Sequence, residues 1–206
     1  LMSSAKIFGV TTENIPADVP YITSDPELVK KWESGILSKI QIPNSEIQIP
    51  FKAGLVWSGK PDRKYNLVRS CPLSELSPLS DISNLVVFSL QKGDAVKQVE
   101  NHGTGLSIIN LDQELDITGK FVDTAAVIAN LDIVISIDSA VAHLAAALGK
   151  PVWLILPYAH DWRWLMDRED SPWYPTIRLF RQPEEGDWKT VMRRVADELK
   201  AVVNKG

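Results

Sequence analysis

The sequence lacks most of the features from which function is usually read. Its 206 residues contain one cysteine, Cys71. That excludes an internal disulfide and points to a reducing compartment, so the chain reads as cytoplasmic. The three histidines, His102, His143 and His160, share no metal-ligand spacing with each other or with Cys71, so no metal is expected. Positive charge is not in excess: the formal net charge is −4, which argues against a broad nucleic-acid surface. No apolar run approaches the roughly 20 residues a membrane helix needs. No signal peptide, internal repeat or low-complexity tract is recognisable. The start at Leu1-Met2 rather than at Met reads as a piece of a longer chain.

What is present is organised around residues 131–157. Residues 133–137 form a short apolar run rich in β-branched side chains, which reads as a buried strand. Asp138-Ser139 follows at once, and Ser139 suits a helix N-cap. Residues 140–148 read as a helix, stopped by Gly149 and Lys150-Pro151. Residues 152–156 are a second apolar strand. A unit this short requires a right-handed crossover between parallel strands. The turn at Asp138-Ser139-Ala140 lies where free backbone N–H groups and the helix dipole favour an anion.

The same alternation extends along residues 51–206. Strands are expected at 53–58, 85–90, 106–110, 133–137, 152–156 and 177–180. Helices are expected at 73–79, 94–100, 123–130, 140–148 and 188–203. The pattern predicts an α/β fold, a Rossmann-like parallel sheet of six strands with helices on both faces. The expected order is 3-2-1-4-5-6, with a ligand crevice between strands 1 and 4. Residues 1–50 carry five prolines and little periodicity. Asp25-Pro26-Glu27 starts a helix there, to about Ile40. The rest, including 41–50, reads as the tail of a preceding domain plus a linker.

Several stretches invite chemistry. Gly54 to Lys60 fits the first seven positions of a phosphate-binding loop. Pro61 then stands where a magnesium-binding Ser or Thr is needed, and the preceding residues look like strand. The polar stretch 58–69 carries Lys60, Arg63, Lys64 and Arg69 against one acid, Asp62. It reads either as a clamp on a diphosphate or as a solvated loop. Ser139 and His143, four apart, share a helix face. They read either as phosphate ligands or as a cap and a core histidine. The aromatic stretch from Tyr158 to Trp164, with Trp173 and Tyr174, suits stacking on a base or sugar, or a small local core.

Asp132 to Trp153 resembles the nucleotide-sugar-binding motif of heptosyltransferase-like glycosyltransferases. The resemblance is closer still to the carboxyl-terminal region of bacterial tetratricopeptide-repeat (TPR) proteins carrying such a domain. Gly54-Leu-Val-Trp-Ser-Gly59, Arg69-Ser70, Pro157 to Leu165 with Asp170 to Tyr174, and Ile15 to Tyr21 are similar to the same subgroup. The resemblance implies one half of a GT-B fold: the donor-binding domain, residues 51–206, of a metal-independent glycosyltransferase. The acceptor would belong to a missing amino-terminal domain.

By the same resemblance, the donor is a UDP- or ADP-linked sugar, bound as substrate with no separate cofactor. Arg69, three before Pro72, takes the place of a basic residue that contacts the donor diphosphate. Asp138, Ser139, Ala140 and Val141 match the phosphate-holding helix start, and His143 matches the histidine that follows it. Gln91 and Lys92 fall where relatives approach the base or ribose. Ser58, Gly59 and Lys64 complete the expected donor site, with no catalytic base assigned. The first loop departs from the subgroup, having Lys60-Pro61, Arg63 and Tyr65-Asn66 where Asn-Pro, His and Asn-Asp are usual. A degenerate module that binds nucleotide or protein without transferring sugar is the alternative.

Overall fold

A computed structural model of the protein describes residues 6–40, 49–60, 64–100, 103–117 and 120–205, apart from the side chains of Lys64 and Tyr65. The first helix whose bounds are described is α1 (Pro26–Lys39). Asp25 caps it, its Oδ1 accepting from the Glu27 N–H at 2.9 Å, with Pro26 in the first turn. Then follow β1 (Phe51–Val56), the short α2 (Lys64–Arg69), a 3₁₀ segment (Leu73–Asp81) and β2 (Leu85–Ser89). A second 3₁₀ segment (Asp94–Glu100), β3 (Ile108–Asn110), α3 (Val122–Ala129), β4 (Ile133–Ile137) and α4 (Ala140–Ala147) come next. The chain ends with β5 (Val152–Leu156), a 3₁₀ turn (Trp162–Trp164), β6 (Ile177–Arg181) and α5 (Trp188–Val203).

The six strands form one parallel sheet in the order β3-β2-β1-β4-β5-β6. Ala53 of β1 lies opposite Val87 on one side and Ile133 on the other. Connections leave β1 and β4 in opposite directions across the sheet. Since such crossovers are right-handed, the segment after β1 and the helix after β4 cover opposite faces. Every residue of β4 and β5 is buried, which explains their unbroken apolar runs. Three alanines, Ala145, Ala146 and Ala147, are buried on α4 and let it lie close to the sheet.

The structure departs from the sequence reading at several boundaries. β1 stops at Val56 rather than at residue 58, because the N–H groups of Trp57 and Ser58 leave the ladder for the Gln91 side chain. Two of the expected α-helices are 3₁₀ segments. In the first, Pro78 has no N–H to give to a helix ladder. The loop expected at 58–69 ends in α2.

Residues 20–36 pack on the face made by α3 and α4. Trp32 and Ile36 are buried. Trp32 Nε1 donates to Asp123 Oδ1 at 2.9 Å, and Asn130 Nδ2 donates to the Val29 carbonyl at 2.9 Å. Tyr21 N–H reaches the Ala147 carbonyl at 3.1 Å. The expected linker falls mostly on residues 41–48, outside the described residues. No described helix is long and apolar enough to cross a membrane.

Candidate functional site

At the carboxyl ends of β1, β2 and β4 lies an open groove of about 1410 Å³. This is the point where the strand order reverses, the usual ligand crevice of such sheets. Seven of the expected site residues line it: Ser58, Gly59, Gln91, Lys92, Ser139, Ala140 and Val141. Lys60 lines it as well. A smaller depression of about 570 Å³, between the first 3₁₀ segment and α5, lies away from these strand ends and holds none of the expected residues.

The β4 wall is the helix start. Ser139 is extended, at φ −143° and ψ 162°, and its Oγ accepts from the Ala142 N–H at 3.3 Å. Its carbonyl accepts from the His143 N–H, also at 3.3 Å. A helix leaves its first N–H groups without partners inside the helix. With these two taken, those of Ala140 and Val141 have no partner among the described residues and are open to a ligand. Ser139 Oγ also lies 2.9 Å from Ser136 Oγ, which anchors the turn to the strand.

The β1 wall is held by side chains. The Gln91 carboxamide oxygen accepts from the N–H groups of Trp57 at 3.2 Å and Ser58 at 3.0 Å. Its amide donates to the carbonyls of Ser58 at 3.0 Å and Lys92 at 3.1 Å. Gly59 N–H donates to Ser70 Oγ at 3.0 Å, and Ser70 Oγ donates to the Asn66 carbonyl at 2.6 Å. Lys92 turns to the loop after β3, donating to the carbonyls of Asp112 and Leu115 and pairing with the Asp112 carboxylate at 3.3 Å.

Arg69 joins the two walls. Its Nη1 donates to the Asp138 carbonyl at 2.5 Å, although the two residues are 69 apart in sequence. Lys64 opens α2, and its side chain lies outside the described residues, as does Arg63 altogether.

Asp138 and His143 sit behind the turn and do not line the groove. The Asp138 side chain is buried, with His143 Nε2 at 3.6 Å and Arg163 Nη2 at 3.7 Å. Burial alone would raise its pKa. The contacts with His143, the Trp164 indole and the Arg163 charge outweigh burial, and the carboxyl is held below the ordinary aspartate range. The Trp164 N–H makes no hydrogen bond of standard length and so acts from further off. His143 Nδ1 meets the Tyr174 hydroxyl at 3.1 Å, and the ring stacks on Trp164 at 5.4 Å. Tyr174 in turn reaches the Tyr21 hydroxyl at 3.3 Å. Burial, helped by Tyr21, pushes the Tyr174 pKa up and keeps its hydroxyl protonated.

The aromatic stretch after β5 divides between the two readings of it. Trp164 is fully buried against His143, whereas Tyr158 and Trp162 are 59% and 57% exposed. Arg181 fixes the stretch from below, bonding the carbonyls of Trp164, Leu165 and Arg168 and the ring of His160. Sequence reasoning missed Ser70, Asn66 and Arg163 as parts of the site. Ser70 and Arg163 stand in stretches similar to the heptosyltransferase-like subgroup, and Asn66 in the polar loop that departs from it, but no spacing marks their contacts. Among the described residues, no group of three or more His, Cys, Asp or Glu is placed to hold a metal.

The fold has counterparts among known proteins. Residues 86–160 match glycosyltransferase family 9 (heptosyltransferase). The matched span runs from β2 past β5 and contains the whole β4–turn–α4–β5 unit. Protein FlbA of Caulobacter vibrioides is 28% identical over 191 residues, 92% of this chain but 30% of that protein. The glycosyl transferase family 9 structure from Veillonella parvula superposes with a TM-score of 0.61 at 11% identity, over 100% of this chain and 59% of that one. E. coli ADP-heptose lps heptosyltransferase II gives 0.54 at 17% identity, covering 90% and 54% of the two chains. An E. coli heptosyltransferase solved with ADP gives 0.50 at 15%, covering 94% and 53%. The chain thus spans about a third of the first relative and little more than half of each solved structure. The sheet and its strand order are those of the heptosyltransferase fold.

Proposed function

We propose that this chain is the donor half of a glycosyltransferase and binds the diphosphate of a nucleotide sugar in the groove between β1 and β4. The observation that carries the reading is the Ser139 turn, which presents the first N–H groups of α4 to a groove bordered by Lys60. Transfer from a nucleotide sugar expels a diphosphate, and a helix N-terminus with basic side chains is a means of stabilising that charge without a metal. The ADP of one E. coli heptosyltransferase structure supports an ADP-linked donor. A UDP-linked donor fits the same chemistry.

The length of the relatives supports a longer protein. In it, a preceding domain, with TPR repeats further upstream, supplies the acceptor site and the general base. The single cysteine supports a cytoplasmic setting. On this reading the 206-residue chain binds nucleotide but transfers no sugar, because catalysis needs the acceptor aligned at the donor carbon. Calorimetric titration with UDP, ADP and GDP tests the proposal. Saturable binding of at least one supports it, and no binding of any at millimolar concentration overturns it.

One observation favours the second reading, a module that binds without turnover. The N–H groups of Trp57, Ser58 and Gly59 are all taken by Gln91 and Ser70, so the first loop offers those donors to no ligand. Nucleotide binding with no sugar transfer in a chain extended through the preceding domain would select that reading.

A further inference from the structure

Gly59 lines the groove, and its φ lies outside the left-handed region, so backbone freedom does not explain the glycine. Space does. A Cβ at this position would stand 3.0 Å from Arg69 Nε, 3.2 Å from Arg69 Nη2 and 3.2 Å from Asn66 Cβ. The guanidinium therefore passes directly against the Gly59 backbone on its way to the Asp138 carbonyl, 2.5 Å from Nη1. The Gly59 N–H is meanwhile pinned to Ser70 Oγ, and Ser70 to the Asn66 carbonyl, so the loop itself has little room to withdraw. Of the groups a Cβ would meet, the end of the arginine side chain is the one that can move most cheaply.

The geometry points to Gly59 as a positioning residue for the diphosphate site. Its missing Cβ lets Arg69 reach across and hold the Asp138 carbonyl, and so sets the spacing between the first loop and the Ser139 helix start. This rests on the reading of the groove as a diphosphate site. Arg69 then acts as a strut between the two walls. A guanidinium suits that role, since its rigid fork of donors can hold a carbonyl while its Nε and Nη2 lie close to Gly59. Displacing it would shift the turn that carries Ala140 and Val141 relative to Lys60, leaving both walls folded.

The test uses the 206-residue chain as wild type, Gly59→Ala, Arg69→Ala and the double variant. In the absence of ligand, the Arg69 guanidinium N–H signals are followed by NMR. The inference expects them protected from exchange in wild type and absent or shifted in Gly59→Ala. Calorimetry then compares UDP and ADP with uridine and adenosine. Gly59→Ala should bind the diphosphates about tenfold more weakly, the size expected when a charge-assisted hydrogen bond is disrupted. Nucleoside affinity should stay unchanged, and the thermal midpoint should fall by a few degrees as the Arg69–Asp138 contact is lost. In the Arg69→Ala background the same substitution should cost nothing further, because both changes act through one side chain. Unchanged Arg69 signals in Gly59→Ala would overturn the inference, as would an equal affinity loss in the two backgrounds. If wild type binds no nucleotide, the diphosphate reading fails, and the Arg69 signals still decide whether Gly59 positions it.

Discussion

The two walls of the groove are built differently. The β4 wall is regular backbone: a fully buried strand, a two-residue turn ending in the extended Ser139, then a capped helix. The β1 wall is irregular. Its strand ends early, its helix is six residues long, and the 3₁₀ segment after it contains a proline. Side chains there do what backbone ladders do on the other wall, with Gln91, Ser70 and Arg69 bonding main-chain groups that would otherwise lack partners. The regular wall draws its strength from burial in the sheet centre, the irregular one from a few polar contacts. The first should fail by unfolding, and the second by losing shape.

The largest effect is expected where the regular wall meets the core. Leu154 in β5 is fully buried, between Ser136 and Leu179 in register. Leu154→Ala removes buried methyl groups and leaves a cavity, at a cost of about 2–5 kcal/mol. Urea unfolding followed by circular dichroism measures it. A loss below about 1 kcal/mol would show that the sheet centre relaxes around the gap, against the picture of a rigid wall.

The corresponding change on the irregular wall is Gln91→Ala. Gln91 is 6% exposed and makes four hydrogen bonds to main-chain groups. Leaving such groups unsatisfied costs about 1–3 kcal/mol, less where groove water can replace the amide. The same urea experiment ranks it against Leu154→Ala. A larger loss for Gln91→Ala than for Leu154→Ala would reverse the comparison.

These two walls are also unequally legible in the sequence. Residues 131–157 can be read because each signal is local: β-branched residues for a strand, Ser139 for a cap, Gly149 and Pro151 for a stop. The strand order follows from the alternation of strands and helices, because crossover handedness leaves few arrangements. The early end of β1 cannot be read, since Trp57 and Ser58 continue an apolar, strand-like run and are turned aside by Gln91, 34 and 33 residues later. The Arg69–Asp138 contact spans 69 residues and leaves no mark in spacing. His143 reads either as a ligand or as a core residue. Its place between Asp138, Trp164 and Tyr174 depends on loop 157–176, whose path no local pattern specifies.

A smaller effect is expected at the helix start. Ser139→Ala removes the acceptor for the Ala142 N–H and the contact with Ser136 Oγ. Loss of such a cap costs about 1 kcal/mol. The Ala142 N–H this frees is buried and does not line the groove, so diphosphate affinity should hold or fall slightly. Urea unfolding and UDP titration on one preparation separate the two. Full loss of nucleotide binding with unchanged stability would make Ser139 a ligand rather than a cap.

The smallest effect, present at neutral pH and lost in acid, concerns Asp138. Its carboxyl is held below the ordinary aspartate value of about 3.9 by His143, Trp164 and Arg163 against the cost of burial. A group that ionises more easily folded than unfolded binds fewer protons in the native state between its two pKa values. Stability therefore rises with pH across that window. The contribution is fully present above the unfolded value and is lost as pH falls through the folded one. Asp138→Asn keeps the shape and removes the titration. Other acidic groups, such as Glu169 and Asp170, which are also held low by arginine partners, are common to both proteins and cancel in the difference. The stability gap between wild type and Asp138→Asn should be constant from pH 8 to about 5 and should close as pH drops below about 4. Urea midpoints at half-unit steps measure the gap. A gap of constant size down to the acid transition would mean that Asp138 titrates alike in the folded and unfolded chains, and that Arg163 and His143 surround it without stabilising its charge.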